Sequence, residues 1–224
     1  MRPRTSFIFD LDGTLVDSVY QHVLAWHEAI RAEGFELSVW RIHRKIGMSG
    51  GLFANMLLRE IGASISEDRI ERIQRGHTEA YKRVADTVAS LPGSRELLEA
   101  LTKNGVPWAI ATSSHMESAS RTLRALGVDL ERTVLVTRDE VKHAKPDPDL
   151  FFAAAEKLSV PVETASIVGD SVWDMLAAQR ARALGIGLLS GGYGPEELER
   201  AGAYRVYADP QDLLDHLDEV GGRQ

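Results

Sequence analysis

The sequence predicts an α/β protein: a Rossmann-like parallel sheet with helices on both faces, interrupted after its first strand by an all-helical insertion. Two observations lead there. From residue 91 onward short apolar runs alternate with amphipathic segments, and such alternation means a parallel sheet covered on both faces. Between residues 17 and 90 the pattern is helical, with no convincing strand. The α/β core is therefore expected over 1–16 and 91–224, and a helical cap domain over 17–90. A chain of 224 residues, 44% of them hydrophobic, is long enough for a sizeable core and a smaller domain.

Each element has its own signal. SFIFD (6–10) reads as a buried strand. From Asp17 to Gly34 apolar residues recur every three or four positions, at Val19, Val23, Trp26, Ala29 and Ile30, which is the helical period. Segments 37–47, 51–62 and 66–88 also read as helices, punctuated by Gly47, Gly50–Gly51 and Gly62. LPGSRELLEALTKNG (91–105) gives a turn, a helix and an Asn-Gly stop. Then strands are expected at 106–112, 133–137, 165–170, 185–189 and 205–208. Helices are expected at 114–126, 147–158, 173–183, 195–201 and 210–219. Ser114 and Glu117, three residues apart, predict a capping box at the start of the helix over 114–126.

Composition narrows the function. The net charge is −7, from 26 basic and 33 acidic residues, which argues against nucleic acid as a partner. There is no cysteine, so disulfides, thiolate metal sites and cysteine nucleophiles are excluded. The apolar run near the N-terminus is too short for a signal-peptide core, and no stretch approaches the roughly 18 residues of a membrane span. A cytoplasmic protein, monomer or homodimer, with no membrane partner is expected.

Ligands of open α/β sheets bind beyond the carboxyl ends of the strands. The first strand ends in Asp10-Leu-Asp12-Gly13-Thr14, the next in Thr112-Ser113-Ser114. The loop after 133–137 carries Lys145, and the following strand ends in Gly169-Asp170 with Asp174 one turn on. Singly, these are a turn, a cap, a solvated lysine and first-turn acids. Together they put acids, hydroxyls and a lysine on one rim, a set suited to a divalent cation and a phosphoryl group. The like charge of Asp10 is expected to raise the pKa of Asp12.

FIFDLDGTLVDS, AIATSSH, KHAKPDPDLF and IVGDSVWD resemble, in order, the four motifs of the haloacid dehalogenase-like superfamily. The resemblance covers essentially the whole chain and is greatest to the branch of β-phosphoglucomutase-like and phosphoglycolate phosphatase-like enzymes. It implies a magnesium-dependent phosphatase of small phosphorylated metabolites. Asp10 would be the nucleophile that becomes an aspartyl-phosphate, and Asp12 the general acid–base. Magnesium would be held by the carboxylates of Asp10 and Asp170 and the backbone carbonyl of Asp12, with Asp174 in support. Thr112 and the Ser113 amide would hold phosphate oxygens, and Lys145 would neutralise the transferring group. The second aspartate argues for phosphate chemistry, because haloacid dehalogenases proper lack it.

The cap should set the substrate. His22, Trp26, Arg44, Lys45, Met48, Ser49 and Phe53 are candidates to face the site, although Trp26 and Phe53 read first as cap core. His22 matches a histidine of the mutase cap. The mutases carry an arginine just after a segment like Gly47-Met48-Ser49, where this chain has Gly50. Phosphatase is therefore expected over phosphosugar mutase. A non-catalytic phospho-acceptor module, as in receiver domains, would be about half as long and would not carry a helical insertion after strand one.

Overall fold

The computed structural model describes residues 5–61 and 66–222. Gly62, read above as a helix stop, lies outside the described residues. The central sheet contains β1 (Ser6–Phe9), β2 (Trp108–Ala111), β3 (Leu135–Val136), β4 (Ala165–Gly169), β5 (Leu184–Leu188) and β6 (Ala203–Tyr207). Their order is β3-β2-β1-β4-β5-β6, and every pairing is parallel. β1 is buried at all four positions, as a central strand covered on both faces must be.

Side chains alternate across the sheet, and each face has its own core. Phe7 and Phe9 of β1 pack with Leu97 and Leu101 of α5 (Ser94–Lys103), Leu123 of α6 (Met116–Leu126) and Leu213 of α10 (Pro210–Asp215). Ile8 faces the other way, toward Phe151 and Ala154 of α7 (Asp149–Leu158) and Ala177 of α8 (Val172–Arg180). The small α9 (Pro195–Arg200) adds Leu198 to a satellite cluster with Met175 and Tyr193. The period of two along the strands thus places core helices on both faces.

Between β1 and α5 lie α1 (Val19–Ala32), α2 (Val39–His43), α3 (Gly50–Ile61) and α4 (Glu67–Val84). They build a core of their own around Val23, Trp26, Ile30, Ile42, Phe53 and Ile73. α2 is shorter than the helix expected over 37–47. The chain turns at Gly47, whose φ of 93° belongs to the left-handed region that side chains disfavour. β3 is reduced to two residues, and α10 stops at Asp215 rather than 219.

After β3 the chain crosses back to lay β4 beside β1. The sheet's direction of growth reverses there, and a crevice opens at the carboxyl ends of these two strands. Asp10 follows β1 and Asp170 follows β4, so both emerge at that crevice. Among the described residues no helix is long and apolar enough to cross a membrane.

Candidate active site

The residue after each central strand supplies a carboxylate, and a buried lysine joins them. Asp10, Lys145, Asp170 and Asp174 are all buried. Lys145 Nζ lies 2.5 Å from Asp10 Oδ1 and 2.8 Å from Asp174 Oδ1. Asp174 Oδ2 accepts from the Ser171 amide at 3.1 Å and the Ser171 hydroxyl at 2.5 Å. Asp174 is thus engaged through both oxygens, and it anchors the lysine. Thr14 donates to Asp170 Oδ1 at 2.9 Å.

Burial pushes the Asp10 pKa up to about 7 against the opposing pull of Lys145, with Asp174 and Asp12 adding to the rise. Burial, then Asp174 and Asp10, raise Asp170 well above the carboxylate range. For Lys145, burial works against the charge, but Asp10 and Asp174 outweigh it and raise the pKa. Were all three carboxylates ionised, one ammonium would leave two negative charges uncompensated, and that repulsion adds to the rise in Asp10 and Asp170. Donor oxygens of Asp10, Asp170 and Asp174 lie within 4.8 Å of one another, and a hard divalent cation fits that set. The backbone is shaped to it. A Cβ at Gly13, where φ is 84°, would come within 2.5 Å of Asp170 Oδ2.

Asp12 departs from expectation. Burial raises its pKa, but His22 outweighs this by charge and hydrogen bonding, aided by Ser18 and Ser114, and holds it well below the usual range. His22 Nε2 is 3.3 Å from Asp12 Oδ1, and Ser18 Oγ donates to the same oxygen at 2.7 Å. Ser114 Oγ donates to Oδ2 at 2.8 Å and Thr112 Oγ1 at 3.4 Å. The expected rise therefore falls on Asp10. The expected capping box fails for the same reason. Ser114 is spent on Asp12, Glu117 pairs with Lys82, and His115 is the N-cap of α6.

These groups form the floor of a cavity of about 730 Å³ roofed by the helical insertion. One wall carries Trp26, Met48 and Phe53. Another is the α4 row Glu71, Gln74, Arg75, Thr78 and Lys82, spaced along one helix face. His22 stacks on Tyr81 with ring centroids 3.9 Å apart, and its Nδ1 lies 3.1 Å from His77 Nε2. A family model of haloacid dehalogenase-like hydrolases matches residues 5–182. The chain belongs to the haloacid dehalogenase-like hydrolases.

Relatives within the family span most of the chain. It is 33% identical to hexitol phosphatase A of Escherichia coli over 78% of each protein. It is 31% identical to the phosphorylated carbohydrates phosphatase of Thermotoga maritima, over 95% of this chain and 98% of that one. The crystal structure of a hydrolase from Pseudomonas syringae superposes with a TM-score of 0.94 at 56% identity, covering 96% of this chain and 99% of that one.

In this haloacid dehalogenase-like chain the structure brings Asp10, Asp12, His22, Thr112, Ser113, Ser114 and Lys145 to one cavity. Gly13, Asp170 and Asp174 back its floor. Ser113 turns its hydroxyl to the Gly47 carbonyl at 3.3 Å, and Ser49 donates its amide to the Lys145 carbonyl at 3.3 Å. Both tie the insertion to the core. Arg44 and Lys45 do not reach the cavity: Arg44 pairs with Glu197, and Lys45 with Glu60 at 3.1 Å. Sequence reasoning missed His77, Arg138 and the α4 row. The row was detectable as polar residues at helical spacing, but nothing in the sequence says which polar face meets a cavity.

Proposed function

We propose that this phosphatase hydrolyses a phosphorylated sugar or sugar alcohol through an aspartyl-phosphate on Asp10, with magnesium held by Asp10, Asp170 and the Asp12 carbonyl. The observation that carries this reading is the buried Asp10–Lys145–Asp174 cluster with Asp170, opening onto a cavity lined by hydrogen-bonding side chains. Two relatives named for hexitol phosphate and phosphorylated carbohydrates support the substrate class. A two-carbon acid would leave most of a 730 Å³ cavity unfilled. We read residues 17–90 as the cap.

Magnesium, when bound, supplies positive charge to the phosphoryl oxygens and the attacking carboxylate. Asp10 attacks phosphorus, and the bond to the leaving alkoxide breaks. Lys145 offsets charge on Asp10 and on the phosphoryl group, while Thr112 and the Ser113 amide orient the phosphate. The arriving phosphate raises the proton affinity of Asp12, opposing the effect of His22. Asp12 therefore takes up a proton from solvent as the substrate binds, and passes it to the alkoxide. In the second half-reaction Asp12, again a carboxylate, takes a proton from water as that water attacks phosphorus. The bond to Asp10 breaks, and inorganic phosphate leaves.

The test is phosphate release from hexitol phosphates, hexose phosphates and phosphoglycolate, with magnesium and with excess chelator. Turnover should require magnesium, favour the six-carbon substrates and vanish in Asp10→Asn, whose amide is neither nucleophile nor anionic ligand. Full turnover in chelator, or activity in Asp10→Asn above about a hundredth of wild type, would defeat the mechanism.

A further inference from the structure

His43 ends α2 and Arg44 follows it, yet neither lines the cavity. Both reach across to residues 189–197 of the core, from the end of β5 into the first turn of α9. His43 Nε2 lies 2.7 Å from the Gly191 carbonyl oxygen. A carbonyl only accepts, so Nε2 carries the hydrogen. The imidazole is stacked on Tyr20, with ring centroids 5.5 Å apart at 5°, and leans on Tyr193 at 5.9 Å. The Arg44 guanidinium sits 4.1 Å over the Tyr193 ring and forks onto both carboxylate oxygens of Glu197. That planar fork is the arrangement in which arginine pairs best. Tyr193 Oη donates back to the Arg44 carbonyl at 3.0 Å.

The segment gripped in this way is the wall behind Asp170. A Cβ at Gly191 would sit 1.9 Å from Asp170 Oδ2, so the backbone there is in direct contact with the carboxylate. Ser190 Oγ donates to the Gly13 carbonyl at 2.6 Å. Gly13 closes on the same Asp170 oxygen, where an added Cβ would come within 2.5 Å. Two stretches of backbone thus press on Asp170. Ser190 ties one to the other, and His43 holds the second from the cap.

We propose that His43 and Arg44 form a latch that couples cap closure to the cation site, with His43 acting through Gly191 as a positioning residue for Asp170. The proposal rests on the reading of Asp170 as a metal ligand. Arg44 and Glu197 have side chains 34% and 43% exposed, so their pair alone is a weak restraint that can open to exchange substrate and product. Its stacking on Tyr193 and the His43 hydrogen bond give the closed position a definite geometry. Coupling is reciprocal: if the latch strengthens cation binding, the cation strengthens the latch.

The test is calorimetric titration of magnesium into the substrate-free protein. Its Kd should rise about fivefold or more in His43→Ala, the lower end of usual coupling between sites. His43→Gln carries an amide donor where Nε2 stood, and should return the Kd to within about twofold of wild type. Arg44→Met keeps the apolar stem, loses the fork, and should weaken binding as His43→Ala does. An unchanged Kd in folded His43→Ala overturns the latch, and equal weakening in His43→Gln overturns the donor role of His43. Should His43→Ala fail to fold, an unchanged Kd in Arg44→Met overturns it instead. Wild-type protein that binds no magnesium would overturn the metal reading itself, before any variant is compared.

Discussion

Lys145 shows how much of a residue's role lies in its surroundings. As one lysine in a loop it reads as solvated. In the fold it is fully buried between Asp10 and Asp174. Removing one partner of a buried ion cluster strands the others, at a cost of about 3–5 kcal/mol. Lys145→Met should therefore lower stability in urea by that order, and lower kcat by about a hundredfold or more through lost charge stabilisation. A variant as stable and active as wild type would show that the cluster is not coupled. Gly13→Ala tests the same floor from the backbone. At φ 84° a side chain is strained, and its Cβ would collide with Asp170 and Val19. Turnover should fall about a hundredfold while helical circular dichroism is retained. Asp12 marks the limit of residue-level reasoning. Its neighbour in sequence was visible, but His22 and Ser114, which decide its charge, arrive from α1 and from the loop before α6.

At the scale of elements, the alternation of apolar runs made the strands and core helices legible, because a sheet buried on both faces needs continuous hydrophobic strands. Lengths were less so. α2 and α10 stop early where turn geometry and local contacts, not periodicity, end a helix. The helix whose orientation matters most is α4. Its apolar positions Ile73, Ala80 and Tyr81 fix one face, and Glu71, Gln74, Arg75, Thr78 and Lys82 follow the cavity. Eleven residues separate the ends of that row, about 16 Å at the helical rise, enough to address a chain of several hydroxyl groups. One acid, two cations and two neutral groups are spread along it, matching hydroxyls that both donate and accept. Gln74→Ala and Arg75→Ala should each lower kcat/KM for a hexitol 6-phosphate, relative to acetyl phosphate, by about tenfold, the worth of one good hydrogen bond. An unchanged ratio in both would take α4 out of recognition.

For the molecule as a whole, if residues 17–90 act as the proposed cap, the outcome of catalysis depends on how firmly they hold the far end of the ligand. A hexose-phosphate mutase must keep a bisphosphate inside the closed site and shield the aspartyl-phosphate from water while the sugar turns. That requires a second anion grip in the cap, which a forked arginine serves well. Gly50 lines the cavity but has no side chain to offer. Arg44 is committed to Glu197 and Lys45 to Glu60, so neither fills the role. Lys82 is divided between Glu79 and Glu117. Arg75 lines the wall, but Glu71 and Glu79 stand one turn to either side on the same helix, which suits hydroxyls better than a phosphate. On the proposed mechanism, water would then reach the intermediate before a second sugar hydroxyl does. β-Glucose 1-phosphate with trace glucose 1,6-bisphosphate should then give free phosphate faster than glucose 6-phosphate, followed by phosphorus NMR. Glucose 6-phosphate outpacing phosphate release would reverse the conclusion. Arg75 would then be the residue to replace, since its loss should restore hydrolysis if it is the grip.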